Sequence, residues 1–95
     1  MSDDTIAEFR KDPDAYLDFP MDWNAWLTDG RETVSTAVWT VPTGLTLGTE
    51  TLADNVAVAW ISGGTAGEVY TVSCKVTSSS GRIDERSIVI VVEER

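Results

Sequence analysis

Sixteen aspartates and glutamates, one cysteine and no histidine bound the chemistry open to this 95-residue chain. Without His, neither a Ser-His nor a Cys-His pair can activate a nucleophile. One thiol among carboxylates is a poor ligand set for zinc, which favours His nitrogen and Cys sulfur. The run Gly63-Gly64-Thr65-Ala66-Gly67 lacks the Lys and the following helix of a phosphate loop, so it reads as a turn between strands. Asp3-Asp4, Asp12/Asp14 and Asp18/Asp22 do not follow the calcium-loop spacing, with its Gly and closing Glu. They read as solvated charge. A glycosidase-like carboxylate pair fits the composition, yet no spacing sets two carboxylates across a cleft. The chain is therefore read as a non-enzyme without metal or cofactor, acting through its surfaces.

Those surfaces are set by strands. Val69 to Thr77 and Ile88 to Val92 are rich in β-branched residues, which fit a pleated, half-buried surface. Glycine and serine turns, Ser62 to Gly67 and Ser78-Ser79-Ser80-Gly81, separate them. Glu32 to Val41 is a further strand; Ala37, Trp39 and Val41 share one face, Val34 and Val38 the other, and the switch indicates either partial burial of both faces or a bulge. Leu45 to Leu47 and Glu50 to Leu52 read as two short strands. Val56 to Ile61 follows a turn at Asn55, with Val56, Val58 and Trp60 on one face. Tyr70, Val72, Cys74 and Val76 form a core face, completed by Ile88, Ile90 and Val92. Several short strands, clear turns and no long helix predict an all-β, immunoglobulin-like antiparallel β-sandwich. Trp39 and Trp60 are expected to fill its core.

Ahead of the sandwich, residues 1–14 read as a polar N-terminal arm and residues 15–95 as the domain. Ile6 and Phe9 are three apart, Asp3 or Asp4 could cap a short helix, and Pro13 would end it. One or two helical turns are marginal alone. The arm reads either as a frayed end or as a segment that orders on a neighbouring subunit. Pro20 places the next segment at a sheet edge or in a loop. Asp22 to Leu27 forms a single helical or 3₁₀ turn, and Asp29-Gly30 a reversal.

A formal charge of −9 opposes contact with nucleic acid or with anionic membranes. It serves solubility first and docking on a basic partner second. No run approaches the ~20 apolar residues of a membrane-spanning helix. The acidic N-terminus lacks the basic-then-apolar pattern of a secretory signal. Cys74 is alone, so packing must hold the domain, which suits assembly in a reducing cytoplasm. It reads as a small buried hydrophobe.

Trp23 and Trp26 stand in an irregular segment beside Tyr16, Phe19 and Met21. A domain this small struggles to bury them all, and aromatic enrichment marks interface centres. With the arm's Ile6 and Phe9, the expected partner-binding set is Ile6, Phe9, Tyr16, Phe19, Trp23 and Trp26. A lid over one end of the sandwich is the other reading of the segment. A flat platform of Trp23 and Trp26 would instead fit a carbohydrate. Arg82 and Asp84-Glu85-Arg86 read as local ion pairs or as an interface ladder.

These residues carry a resemblance. Asp22-Trp23, Trp26-Leu27, Asp29-Gly30 and Val41-Pro42-Thr43-Gly44-Leu45-Thr46 form its first part. Trp60-Ile61-Ser62-Gly63-Gly64-Thr65-Ala66-Gly67, Tyr70-Thr71-Val72-Ser73-Cys74 and Gly81-Arg82-Ile83-Asp84-Glu85-Arg86-Ser87-Ile88 form its second, more specific part. From Leu17 onward the chain resembles small tailed-bacteriophage proteins described as fiber–tail adaptor proteins. The resemblance implies a virion structural protein with an Ig-like domain. It implies symmetric multiple copies and contacts to portal, tail or fiber subunits, without nucleic acid or membrane. A capsid decoration protein is the alternative. Antibody domains place a Tyr two residues before a disulfide-bonded Cys; here Tyr70 precedes the unpaired Cys74 by four, which argues against antibody-type kinship.

Overall fold

The computed structural model describes residues 5–27 and 31–94, with side chains from Ala7 onward. The proposed caps Asp3 and Asp4 and the Asp29-Gly30 reversal lie outside these residues. Seven strands run through the described chain: β1 (Thr5–Lys11), β2 (Leu17–Asp22), β3 (Val34–Thr40), β4 (Leu45–Ala53), β5 (Val56–Gly63), β6 (Val69–Ser78) and β7 (Ile83–Val92). They form two sheets, a larger one in the order β1-β7-β6-β3 and a smaller one in the order β2-β5-β4. This is the expected Ig-like sandwich. Its pairings are antiparallel except β1 on β7, which is parallel.

The parallel strand corrects the reading of the arm. The short helix expected around Ile6 and Phe9 is not formed. Thr5 to Lys11 instead lies along β7, with Phe9 opposite Ile90 and Lys11 opposite Val92. The reason is long-range: β7 leaves an open edge, and pairing with it outweighs a helix too short to be stable alone. The strand carries its own latch. Lys11 is fully buried, and its Nζ donates to the carbonyls of Asp12 at 2.9 Å and Gly63 at 2.7 Å. Burial pulls the Lys11 ammonium below its usual pKa, against the opposing attraction of Asp12 and Asp14.

Local chemistry explains the turns. Asp54 and Asn55 both adopt positive φ, 53° and 65°, the pattern of a type I′ hairpin between β4 and β5. Asn55 then ties three elements together. Its Oδ1 accepts the Val34 N–H at 3.0 Å, its Nδ2 donates to Asn24 Oδ1 at 3.2 Å, and its carbonyl accepts the Trp23 N–H at 3.0 Å. Gly64 has a φ of 98°, and a Cβ there would sit 2.6 Å from Val92 Cγ2, so only glycine fits. The Tyr70 hydroxyl accepts the Thr65 N–H at 3.0 Å, five residues upstream, the kind of bond a tyrosine corner makes.

The core follows the strand faces with one inversion. Val72, Cys74, Val76, Ile88, Ile90 and Val92 are fully buried, as expected, and Trp39 is 6% exposed. The bulge in β3 falls between Val34 and Thr36 and returns Val34 to the buried side. Pro20 sits on β2 at an edge of the smaller sheet. β5 is reversed: Ala57, Ala59 and Ile61 face inward, while Val56, Val58 and Trp60 look outward. Trp60 is therefore not core. The interior beside β5 is already filled by β2, where Phe19 lies across from Ala59 and Met21 across from Ala57. Large residues on one strand require small ones on its neighbour.

Candidate interaction surfaces

One end of the sandwich gathers the Trp23–Leu27 turn, the start of β3, the β4–β5 hairpin and the β6–β7 turn. Trp26 N–H and Leu27 N–H bond the Trp23 carbonyl, closing the expected turn. Glu32 clamps it from the other side. Arg82 donates to both Glu32 oxygens, from Nη2 at 2.6 Å and Nε at 3.0 Å. The hydroxyls of Ser78, at 2.7 Å, and Ser80 donate to the same carboxylate. Arg82 Nη2 also reaches the Trp26 carbonyl at 3.2 Å, and its guanidinium carbon stands 4.4 Å over the Trp26 ring. Glu32 ionises at about 2, held down first by Arg82 and then by the two serines. The Glu32 carboxylate is thus bound by Arg82, Ser78 and Ser80, and the cluster holds the turn.

Trp23 lies beneath this clamp. It is fully buried, packs edge-to-face on Trp26 at 5.4 Å, and is covered by the Arg86 guanidinium at 4.8 Å. Its Nε1 has no hydrogen-bond partner among the described residues. Burial pushes the Cys74 thiol up to about 12, with the indole acting in the opposite direction. A thiol so placed is inert, as the sequence indicated.

The outer face of the smaller sheet has a different make-up. Asp18 stands across from Trp60, Pro20 from Val58 and Asp22 from Val56. Tyr16 packs on the Trp60 ring at 5.3 Å, and its hydroxyl accepts the Thr49 N–H at 3.3 Å. The ring passes over Gly48, where a Cβ would run into it. Asp22 Oδ1 accepts both the backbone and the side-chain N–H of Asn24, which lowers its pKa.

The six residues expected to bind a partner thus divide. Phe9 and Phe19 meet edge-to-face at 5.2 Å, with Phe19 buried and Phe9 half-buried. Trp23 and Trp26 form the second ring pair, roughly perpendicular, so they make no flat sugar platform. Four of the six are therefore packed on or within the core. The Ile6 side chain lies outside the described residues. Only Tyr16, 48% exposed, presents a large surface. Its companion Trp60 reads as core in the sequence; the signal missed is Ala57 and Ala59, whose small inward side chains leave room for Met21 and Phe19 on β2. The Glu32–Arg82 clamp was not visible either, since fifty residues separate its halves. Among the described residues no group of three or more His, Cys, Asp and Glu could hold a metal ion.

Comparison with known proteins agrees with this architecture. A family model described as "Podophage GP4 fiber-tail adaptor protein gp77" matches residues 11–91. Among solved structures, the solution structure of the PKD domain from KIAA 1837 protein is similar, with a TM-score of 0.59 and 19% identity. That likeness covers 100% of this chain and 90% of the other, and it concerns the fold alone. No curated protein matches the sequence.

Proposed function

The chain belongs to the podophage GP4 fiber-tail adaptor family, and we propose that it is a non-enzymatic virion protein joining the portal/tail region to tail or fiber components. The observation that carries this reading is the family match, which runs from the end of β1 to within one residue of the end of β7. The fold supports it physically. Two stiff sheets offer outer faces and edges to neighbours, and contacts weak singly become strong when repeated by symmetry. The partners are other phage structural proteins rather than nucleic acid or membrane, in keeping with a charge of −9. Assembly takes place in the host cytoplasm, and the protein ends in the particle.

Particles made without the protein should lack attached fibers, and supplying it in trans should restore them. Full fiber occupancy in its absence would overturn the reading. Cryo-electron microscopy of intact particles gives a second check. Copies in a multiple of the portal symmetry, at the tail, are expected; hundreds spread over the head would identify a capsid decoration protein instead.

A further inference from the structure

The outer face of the β2-β5-β4 sheet joins aromatic and acidic groups without a base of its own. Its three strands contain Asp18, Asp22 and Glu50 and no Lys or Arg. The strands of the larger sheet carry Arg10, Lys11, Lys75 and Arg86 beside Glu8, Asp84 and Glu85. Among the described residues no ion pair reaches Asp18 or Asp22. The aromatic half is equally open: Tyr16, its ring tilted against that of Trp60, is 48% exposed.

The chain itself shows what completes such a surface. Arg82 lies over the Trp26 ring while the Glu32 carboxylate binds its guanidinium. Ring, carboxylate and guanidinium together make one satisfied unit. At Trp23 the covering cation is again an arginine, Arg86, itself 3.6 Å from Asp84. At Tyr16 and Trp60 the ring and the carboxylate of Asp18 come from the chain, and the strands around them supply no cation.

We infer that this face docks an arginine-bearing segment of a neighbouring protein, its guanidinium lying on the Tyr16 ring and reaching Asp18. Arginine suits the place better than lysine: its planar, weakly hydrated head stacks on an aromatic face and still forks to a carboxylate. A second copy of this chain is the poorer occupant, because each copy carries −9 and two acid-only faces repel. Val58 and Pro20, in line with Asp18 and Asp22, give the segment an apolar floor. The inference rests on the adaptor reading only for the source of the partner, another virion component.

The test is a titration of the full-length, isotope-labelled protein with an acetylated peptide of alternating arginine and valine, followed by amide and indole chemical shifts. Shifts should centre on Tyr16, Asp18, Val58 and Trp60 and weaken with added salt. D18N should raise the Kd about five- to tenfold, and Y16A about as much, in proteins whose spectra otherwise stay folded. The same peptide with citrulline in place of arginine should give no shifts. Equal shifts from the citrulline peptide would overturn the inference, as would shifts centred on the larger sheet. Shifts of the same face with maltohexaose but not with the arginine peptide would make it a sugar platform, and concentration-dependent shifts without peptide a self-contact. Particle assembly then separates the two readings. If fibers need the protein but D18N/Y16A is incorporated at normal occupancy, the face is wrong and the adaptor reading stands. If fibers attach without the protein, the adaptor reading fails whatever the titration shows.

Discussion

At one end of the sandwich, two tryptophans are roofed by arginines of their own chain; on the open face of the smaller sheet, a third is roofed by a tyrosine. Trp23 and Trp26 meet Arg86 and Arg82, and Arg82 is fixed in turn by Glu32. Trp60 meets Tyr16, with Asp18 alongside. In the first region the Glu32 carboxylate and the Arg82 guanidinium are bound within the chain, and together they hold the Trp23–Leu27 turn. The second has charge and ring surface left over. Sequence alone ranks these regions in the opposite order, because an irregular stretch dense in aromatics resembles an exposed patch and a Trp inside a β-branched strand resembles core.

Breaking the first region should cost the most. Trp23→Ala empties a fully buried site, and a loss of about 3–5 kcal/mol is expected in chemical denaturation. An unchanged midpoint would mean that the two regions do not differ as described. Gly48→Ala attacks the second region from below. The added Cβ displaces the Tyr16 ring, whose Cε1 lies 2.9 Å from that position. Because the ring is half-exposed and can shift at the cost of its bond to Thr49, a loss of about 1 kcal/mol is expected, with the tryptophan emission shifting to the red as Trp60 is uncovered. Retention of the wild-type emission would show that the stack tolerates the methyl.

The clamp is best tested by pH. Glu32 titrates at about 2 in the folded protein against an ordinary value of 4.5. A depressed folded pKa stabilises fully above the unfolded value and loses that contribution as pH falls from about 4.5 towards 2. Glu32→Gln should therefore lower the melting temperature at pH 7 and flatten its fall across that window. Parallel wild-type and variant profiles would remove Glu32 as the cause. The smallest change in stability should come from Tyr16→Ala, within about 0.5 kcal/mol, measured by the same denaturation. A drop as large as that of Trp23→Ala would make Tyr16 part of the fold rather than of a surface.

Much of the architecture was readable from local pattern. β-branched runs and glycine turns locate β5, β6 and β7, and of the two readings of the face switch in Glu32–Val41 the structure has the bulge. What alternation does not state is which face is inside. On β5 the answer was in its neighbour: Ala57 and Ala59 are small because Met21 and Phe19 lie across from them. β4 read as two strands because its register shifts between Leu47 and Glu50, interrupting the alternation without ending the strand. β1 was hidden for another reason. Its inward residues are Ala7, Phe9 and Lys11, a weak apolar signal, and its partner strand lies at the far end of the sequence. Of the candidate surface, Tyr16 was named and Trp60 misplaced; a ring stack between an edge segment and a central strand has no mark in sequence spacing.

The parallel pairing of β1 with β7 also decides how the molecule bears tension. Both strands point the same way, so a pull entering at the start of β1 and leaving at the end of β7 drags them past each other. All rungs of that ladder then carry the load together, in shear, whereas a pull across the β6–β7 hairpin opens its rungs one at a time. Forced unfolding is a matter of rate, and single-molecule extension should find the first direction far slower to yield than the second. Equal breaking forces along the two directions would show that the β1–β7 ladder is not what resists.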